Sequence, residues 1–301
     1  MRVQLVTVPY RYDERNDGLG RGPQALVNAG IVAKLRATGL DVAEPVDVTL
    51  PDEERVSGPV AVNIGKLGSY TAAAVAEARE AGNGVLILAG DDTASVGIIA
   101  GLQKAHGAGA RIGIVWVDAH ADFNTPETSY SGILAGMPVA ILAGLAGPLW
   151  RGSAGLEAPV PTDRLLIVGP REMDEKEQTL LRSTDAKVIT HAELGDTETV
   201  DRLFTSLAER VDYLAVHVDL DILDPALVPS ASTPSSNGLN IAQAAGLIER
   251  AITSGKVASV SIAGLNPGAG NRGTRSVEST LALIRQALAT WTAAAPTQGD
   301  A

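Results

Sequence analysis

Two short combs of acidic and imidazole side chains offer this chain its chemistry. The first runs Asp118-Ala119-His120-Ala121-Asp122-Phe123-Asn124 and the second, about a hundred residues later, His217-Val218-Asp219-Leu220-Asp221. In extended backbone, side chains two residues apart point to the same side. Asp118, His120 and Asp122 can thus converge just beyond a strand, and Asp219 with Asp221 repeats the geometry. Taken singly, either comb also suits a turn or a helix cap, because Asp accepts backbone hydrogen bonds there. Together they supply enough oxygen and nitrogen donors for two cations, and a cation pair of that kind lowers the pKa of a water it shares.

Both combs close apolar runs, Ile112-Gly113-Ile114-Val115-Trp116-Val117 and Tyr213-Leu214-Ala215-Val216. Parallel strands present such ends on one rim, where α/β proteins place their sites. The pattern predicts eight strands, at 3–8, 40–48, 84–89, 112–117, 164–168, 186–190, 213–218 and 257–263. Helical periodicity falls at 23–36, 69–81, 94–104, 133–143, 175–183, 200–208, 241–252 and 276–289. Such alternation predicts a mainly parallel sheet between two helical layers. The Gly-rich stretches 144–161 and 267–273 read as surface loops, residues 1–292 as one domain and 293–301 as a fraying tail.

The chain has 301 residues, 45% of them hydrophobic, which is ample for one large core. A formal net charge of -11 repels a phosphate backbone and argues against a nucleic-acid partner. With no Cys there are no disulfides and no thiolate metal sites, a composition compatible with the cytoplasm. The N-terminus lacks the apolar length of a signal peptide, and no segment has the length of a membrane span. Of the remaining candidates, His106 and His191 read as structural. Trp116 shares a strand face with Ile114 and reads as core. His217 reads as a buried, hydrogen-bonded His, with a supporting or substituted ligand role as the alternative.

The segment Asp118-Ala119-His120-Ala121-Asp122-Phe123-Asn124-Thr125-Pro126, followed by Ser131-Gly132, resembles the DAHxDxNTP…SG pattern of the ureohydrolases, the family of arginase, agmatinase and formiminoglutamase. The likeness runs from Gly18-Leu19-Gly20-Arg21-Gly22-Pro23 to Gly264-Leu265-Asn266-Pro267. It implies a three-layer α/β/α fold, two Mn²⁺ ions, a homo-oligomer (trimer or hexamer), and hydrolysis of a guanidino or amidine C–N bond in a small arginine-like substrate. It further implies Asp118, His120, Asp122, Asp219 and Asp221 as ligands, with Asp122 and Asp219 bridging and Asp122 also taking the proton of the attacking water. Asn124, Ser129 and Ser131 fall where the family binds an α-carboxylate. Asp174 falls where it binds an α-amino group, and Thr233 lies in the loop after the second comb.

Three positions depart from the pattern. Asp92 stands where the family's GGDH turn has a His, and its carboxylate suits Mn²⁺ as a sixth ligand. Ala135 stands where arginases carry a proton-shuttling His, and Gly264 where they carry a guanidinium-holding Glu. The carboxylate count is unchanged, one gained at Asp92 and one lost at Gly264. The tract 122–128 is most similar to the Nω-hydroxyarginine amidinohydrolases, which also lack the His ligand and the shuttle His. These departures leave open a second expectation: a divergent member with weak or no catalysis, in a structural or ligand-sensing role.

Overall fold

Strands buried on both faces fix the centre of the molecule, and their sequences are the near-continuous apolar runs that a covered parallel sheet requires. The computed structural model describes residues 2–291. In chain order its strands are β1 Arg2–Val8, β2 Tyr10–Arg11, β3 Glu14–Arg15, β4 Asp41–Val42, β5 Val46–Asp47, β6 Gly84–Ala89, β7 Ile112–Val117, β8 Leu165–Val168, β9 Lys187–Ile189, β10 Tyr213–Asp219 and β11 Val257–Ala263. Every residue of β6, β7, β10 and β11 is buried.

The main sheet has the order β4-β1-β6-β11-β10-β7-β8-β9, with β5 also paired to β1, and every pairing in it is parallel. After β6 the chain skips two places to lay down β7, and only β10 and β11, the last strands, fill the gap. The expected strand at 40–48 is two, β4 and β5, on either side of Pro45, which has no N–H to give a ladder. The antiparallel hairpin β2-β3 is an addition that the sequence pattern does not announce.

The helices are α1 Gly22–Asn28, α2 Ile31–Arg36, α3 Val60–Glu80, α4 Ser95–His106, α5 Pro138–Leu142, α6 Pro148–Ala154, α7 Glu175–Arg182, α8 Thr197–Arg210, α9 Ile241–Thr253 and α10 Asn271–Ala287. One core joins α1, α2 and α8 to α10 to one sheet face, including Leu26, Ile31, Phe204, Ile248 and Ile284. A second joins α3 to α6 to the other face, including Ile64, Val75, Ile98, Ile141 and Trp150. Three layers result, as the alternation predicts.

Several boundaries differ from the sequence expectation for identifiable reasons. The helix expected at 23–36 breaks at Gly30, where φ is +81°. That at 133–143 is a short 3-10 turn and then α5, because Pro138 starts a new helix. α3 begins nine residues before the expected 69. Its first turns hold two Gly, and packing on α4 and α6 outweighs their poor propensity. The stretch 144–161 is not simply a surface loop: α6 lies within it and buries Trp150, 1% exposed. α10 likewise begins at Asn271, inside the loop expected to reach 273. The tail expected at 293–301 lies outside the described residues. Among the described residues no helix is long and apolar enough to cross a membrane.

Candidate metal centre

Three strand ends on one edge of the sheet carry the acidic cluster. β6 delivers Asp92 through the turn Gly90-Asp91, β7 delivers Asp118, His120 and Asp122, and β10 delivers Asp219 and, one 3-10 turn later, Asp221. The first comb is not extended, as i, i+2, i+4 spacing on a strand would need. β7 stops at Val117, and Asp122 sits at φ +48°, a region non-glycine residues seldom occupy and one that accumulates at functional sites. The neighbours of Asp122 hold it there. Phe123 is fully buried and its N–H donates to Glu177 Oε1 at 2.8 Å, Asn124 N–H donates to Gly136 O at 3.1 Å, and Val139 N–H donates to Asp122 O at 3.0 Å.

The side chains meet in two overlapping groups, Asp118 with His120 and Asp221, and Asp92 with Asp118 and Asp122. Within each group one donor atom per residue lies within 4.8 Å of the others. His120 Nδ1 faces Asp221 Oδ2 at 3.1 Å and Asp118 Oδ1 at 3.4 Å. Asp219 Oδ1 accepts from Asp221 N–H at 2.8 Å. Asp122 Oδ2 is buried and has no hydrogen-bond partner. An orphaned carboxylate oxygen beside four other buried Asp side chains is costly unless a cation completes it. The donor set, one imidazole and five carboxylates, fits hard divalent cations.

The electrostatics agree. Burial, then the charge of Asp221, pushes Asp92 and Asp118 up to about 7. Burial and the surrounding carboxylates raise Asp122 and Asp219 well above the ordinary range. Burial alone would lower His120, but its hydrogen bonds to Asp118 and Asp221 outweigh that and take it to about 11. Without a metal, the imidazolium is the cluster's cation. Asp221 is the exception among the carboxylates: burial raises it, yet hydrogen bonding to His120 brings it below the usual value.

A cavity of about 810 Å³ opens over the cluster. Of the expected site residues, Asp92, His120, Asp122, Asn124, Ser131, Asp174, Asp219 and Thr233 line it. Asp118 and Asp221 lie beneath, 1% and 0% exposed. Ser129 is not in the lining and sits 3.5 Å from Ser131 Oγ. Thr233 Oγ1 donates to Asp221 Oδ2 at 2.8 Å, so its hydroxyl is already engaged with the cluster. Asp174 Oδ2 accepts from Asn124 Nδ2 at 3.3 Å, joining two of the expected recognition residues.

The loop after β8 and the first turn of α7 supply groups that spacing alone did not single out. Glu172 lines the cavity with its side chain 59% exposed, one oxygen accepting from Ser235 Oγ at 2.6 Å and the other 3.8 Å from His120 Nε2. Glu177 is buried, binds Phe123 N–H and Asp174 N–H, and burial lifts it to about 7. Arg171 spends its guanidinium on the backbone carbonyls of Asp221, Ser235 and Ser236. His191, expected to be structural, also lines the cavity, with Nδ1 buried and unbonded. Trp116 does more than fill the core: its Nε1–H donates to Asp118 Oδ2 at 3.0 Å.

Gly264 explains its own lack of a side chain. It ends β11 at φ +89°, and a Cβ there would stand 2.3 Å from Asp219 Oδ1. We expect Gly264→Ala to cost on the order of 1–3 kcal/mol in backbone strain and collision and to weaken any divalent-cation binding at the cluster by displacing Asp219. Chemical denaturation and a metal titration check both parts; unchanged metal binding would show that Asp219 can move freely.

Comparison with known proteins places this geometry. The family model described as "Arginase family" matches residues 1–290. The arginase of Bacillus caldovelox is 30% identical over 246 residues, spanning 79% of this chain and 81% of that one. Arginase-1 of Rattus norvegicus is 29% identical over 295 residues, spanning 93% and 90%. The solved structure of the Bacillus caldovelox arginase superposes with a TM-score of 0.83 at 28% identity, covering 95% of this chain and 97% of that one. The formimidoylglutamase of Bacillus subtilis shares the fold, with a TM-score of 0.74 at 16% identity over 95% and 86%. With a matching model over almost its whole length and acidic strand ends gathered as its motif requires, the chain belongs to the arginase family.

Proposed function

We propose that this chain is a Mn²⁺-dependent amidinohydrolase that cleaves the guanidino C–N bond of an arginine-like small molecule. The observation that carries the reading is the unbonded, buried Asp122 oxygen where three strand ends bring five carboxylates and an imidazole together. Asp92, Asp118, His120, Asp122, Asp219 and Asp221 would hold two Mn²⁺ ions. Such a pair lowers the pKa of water and so supplies a nucleophile near neutral pH. Asp122, with its oxygen free of other partners, would receive the proton released on attack. Membership of the family likewise supports a homo-oligomeric assembly in the cytoplasm.

The cavity's charge supports a cationic substrate. With Asp92, Asp122 and Asp219 committed to the ions and Glu177 to backbone N–H groups, Glu172 and Asp174 are the acidic groups left on its wall, while its one arginine among the described residues is occupied by backbone carbonyls. Glu172 and Asp174 offer carboxylates to a guanidinium and an α-amino group, and Asn124 and Ser131 offer neutral donors to a carboxylate. With Ala135 in the shuttle position, no imidazole there returns a proton to the leaving group. General acid assistance of that kind is worth about 10²–10⁴-fold in rate. A hydroxyguanidine releases the same amine, but its electron-withdrawing N–OH makes the carbon more open to attack, so hydroxyarginine should be turned over faster than arginine.

The test is turnover of arginine, Nω-hydroxyarginine, agmatine and guanidino acids by the Mn²⁺-loaded protein, followed by release of urea or hydroxyurea. Hydroxyarginine is expected to give the largest kcat/KM. Mn²⁺ binding without turnover of any of them would replace this reading with the ligand-sensing one.

A further inference from the structure

One row of side chains crosses the sheet directly beneath the cluster. The parallel register sets Ser261 of β11 beside His217 of β10, and His217 beside Trp116 of β7. All three are buried, and the Trp116 and His217 rings stack with centroids 3.9 Å apart. Each points a polar atom at its neighbour or at the cluster above. Trp116 Nε1–H reaches Asp118 Oδ2, His217 Nε2 lies 3.0 Å from Asp92 Oδ1, and Ser261 Oγ lies 2.8 Å from His217 Nδ1.

We propose that His217 is the positioning group that makes Asp92 a cation-binding residue, with Ser261 fixing the tautomer this requires. An ionised carboxylate only accepts, so the imidazole must carry its proton on Nε2 and donate to Asp92 Oδ1. A neutral ring then accepts at Nδ1, and the Ser261 hydroxyl supplies that hydrogen. Bound in this way, Asp92 Oδ1 is held against the sheet and the other oxygen is left for the cavity, which Asp92 lines. Metal-ligating groups are commonly oriented by such partners, and removing the partner costs about 10–100-fold in metal affinity. The usual order, an imidazole on the metal with a carboxylate behind it, is reversed here. Position 92, after β6, carries the carboxylate, and the imidazole stands two strands over in the sheet, on β10.

This inference rests on the proposed two-metal reading, and Mn²⁺ titration of the full chain separates the two. Free Mn²⁺ is followed by electron paramagnetic resonance, and the folded state by circular dichroism. The wild type is expected to bind two equivalents. His217→Leu fills the ring's space without a donor, and should weaken one of the two ions about 10–100-fold while leaving the other unchanged. His217→Gln keeps an amide N–H near the place of Nε2 and should recover most of the loss. Ser261→Ala, a small truncation that leaves the ring in place, should weaken the same ion by on the order of 10-fold. Wild-type binding of fewer than two equivalents sinks the two-metal reading itself. Two equivalents in the wild type with unchanged constants in both His217→Leu and Ser261→Ala overturns the positioning role alone. Equal impairment of the Leu and Gln variants also overturns it, since that outcome marks a packing role.

Discussion

Asp122→Asn lowers turnover of the preferred guanidino substrate by roughly 10²–10⁴-fold, the range expected when a positioned proton acceptor is lost. The same substitution leaves the stability of the metal-free protein unchanged or raises it. The two effects part because Asp122 is a liability to the fold and an asset to the reaction. Its Oδ2 is buried without a partner, its backbone is left-handed, and its neighbours Asp118, Asp92, Asp219 and Asp221 all resist its ionisation. Asn keeps the shape and removes the charge, so the repulsion falls while the acceptor for water's proton is gone. Thermal unfolding of stripped protein and an assay for urea or hydroxyurea release by loaded protein measure the two sides. Activity within tenfold of the wild type would remove Asp122 from the mechanism.

The stripped wild-type protein is most stable near pH 5 and loses stability toward pH 8. Asp92 and Asp118 titrate at about 7 in the folded chain, against about 3.9 for an unperturbed Asp. The folded state therefore keeps protons that the unfolded state releases. Stability from these groups is fully present below about pH 4 and disappears as pH rises through about 7. Asp221 has the opposite sign, since its lowered value gives stability above the unfolded pKa that is lost on further acidification. His106 and His217, which burial lowers to about 4, stay neutral in the folded chain while the unfolded chain takes up protons below about pH 6.5, so acidification costs stability there too and the optimum lies near pH 5 rather than pH 4. The decline to pH 8 should reach about 3 kcal/mol, or on the order of 5–10 °C in Tm. Saturating Mn²⁺ should reverse it at pH 8 and do little at pH 5, where protons compete for the same oxygens. Scans at both pH values with and without Mn²⁺ decide the matter. A stripped protein as stable at pH 8 as at pH 5 would mean that the cluster is not under strain.

The parts of this molecule that were legible in its sequence share a physical cause. A strand covered on both faces must be apolar throughout, so β6, β7, β10 and β11 stand out in one dimension. The acidic combs stand out because they interrupt those runs at strand ends. Pro45 and Pro138 moved boundaries that periodicity alone left intact. α6 was hidden by the glycines around it, although Pro148 at its first position and Gly155 just past its end are ordinary helix signals. The hydrogen-bond and stacking partners of Trp116 and His217 were hidden for a different reason. They come from register between strands about a hundred residues apart, and no local pattern encodes which residue a strand will face. Glu172 was missed because the loop after β8 has no repeat to draw the eye, and Glu177 because it reads as an ordinary first-turn acid of α7; the cavity is what gives them meaning.

The two places left open between β6 and β7 have a consequence for how the protein is made. Asp92 and the first comb leave the ribosome well before β10 and β11, whose insertion brings Asp219 and Asp221 to them. Until those strands arrive, β6 and β7 are unpaired edges, and contacts so distant in sequence form slowly. A nascent chain that stops short of Asp219 holds only part of a cation site and cannot retain a pair of ions. On the two-metal reading, loading with metal would therefore follow closure of the sheet.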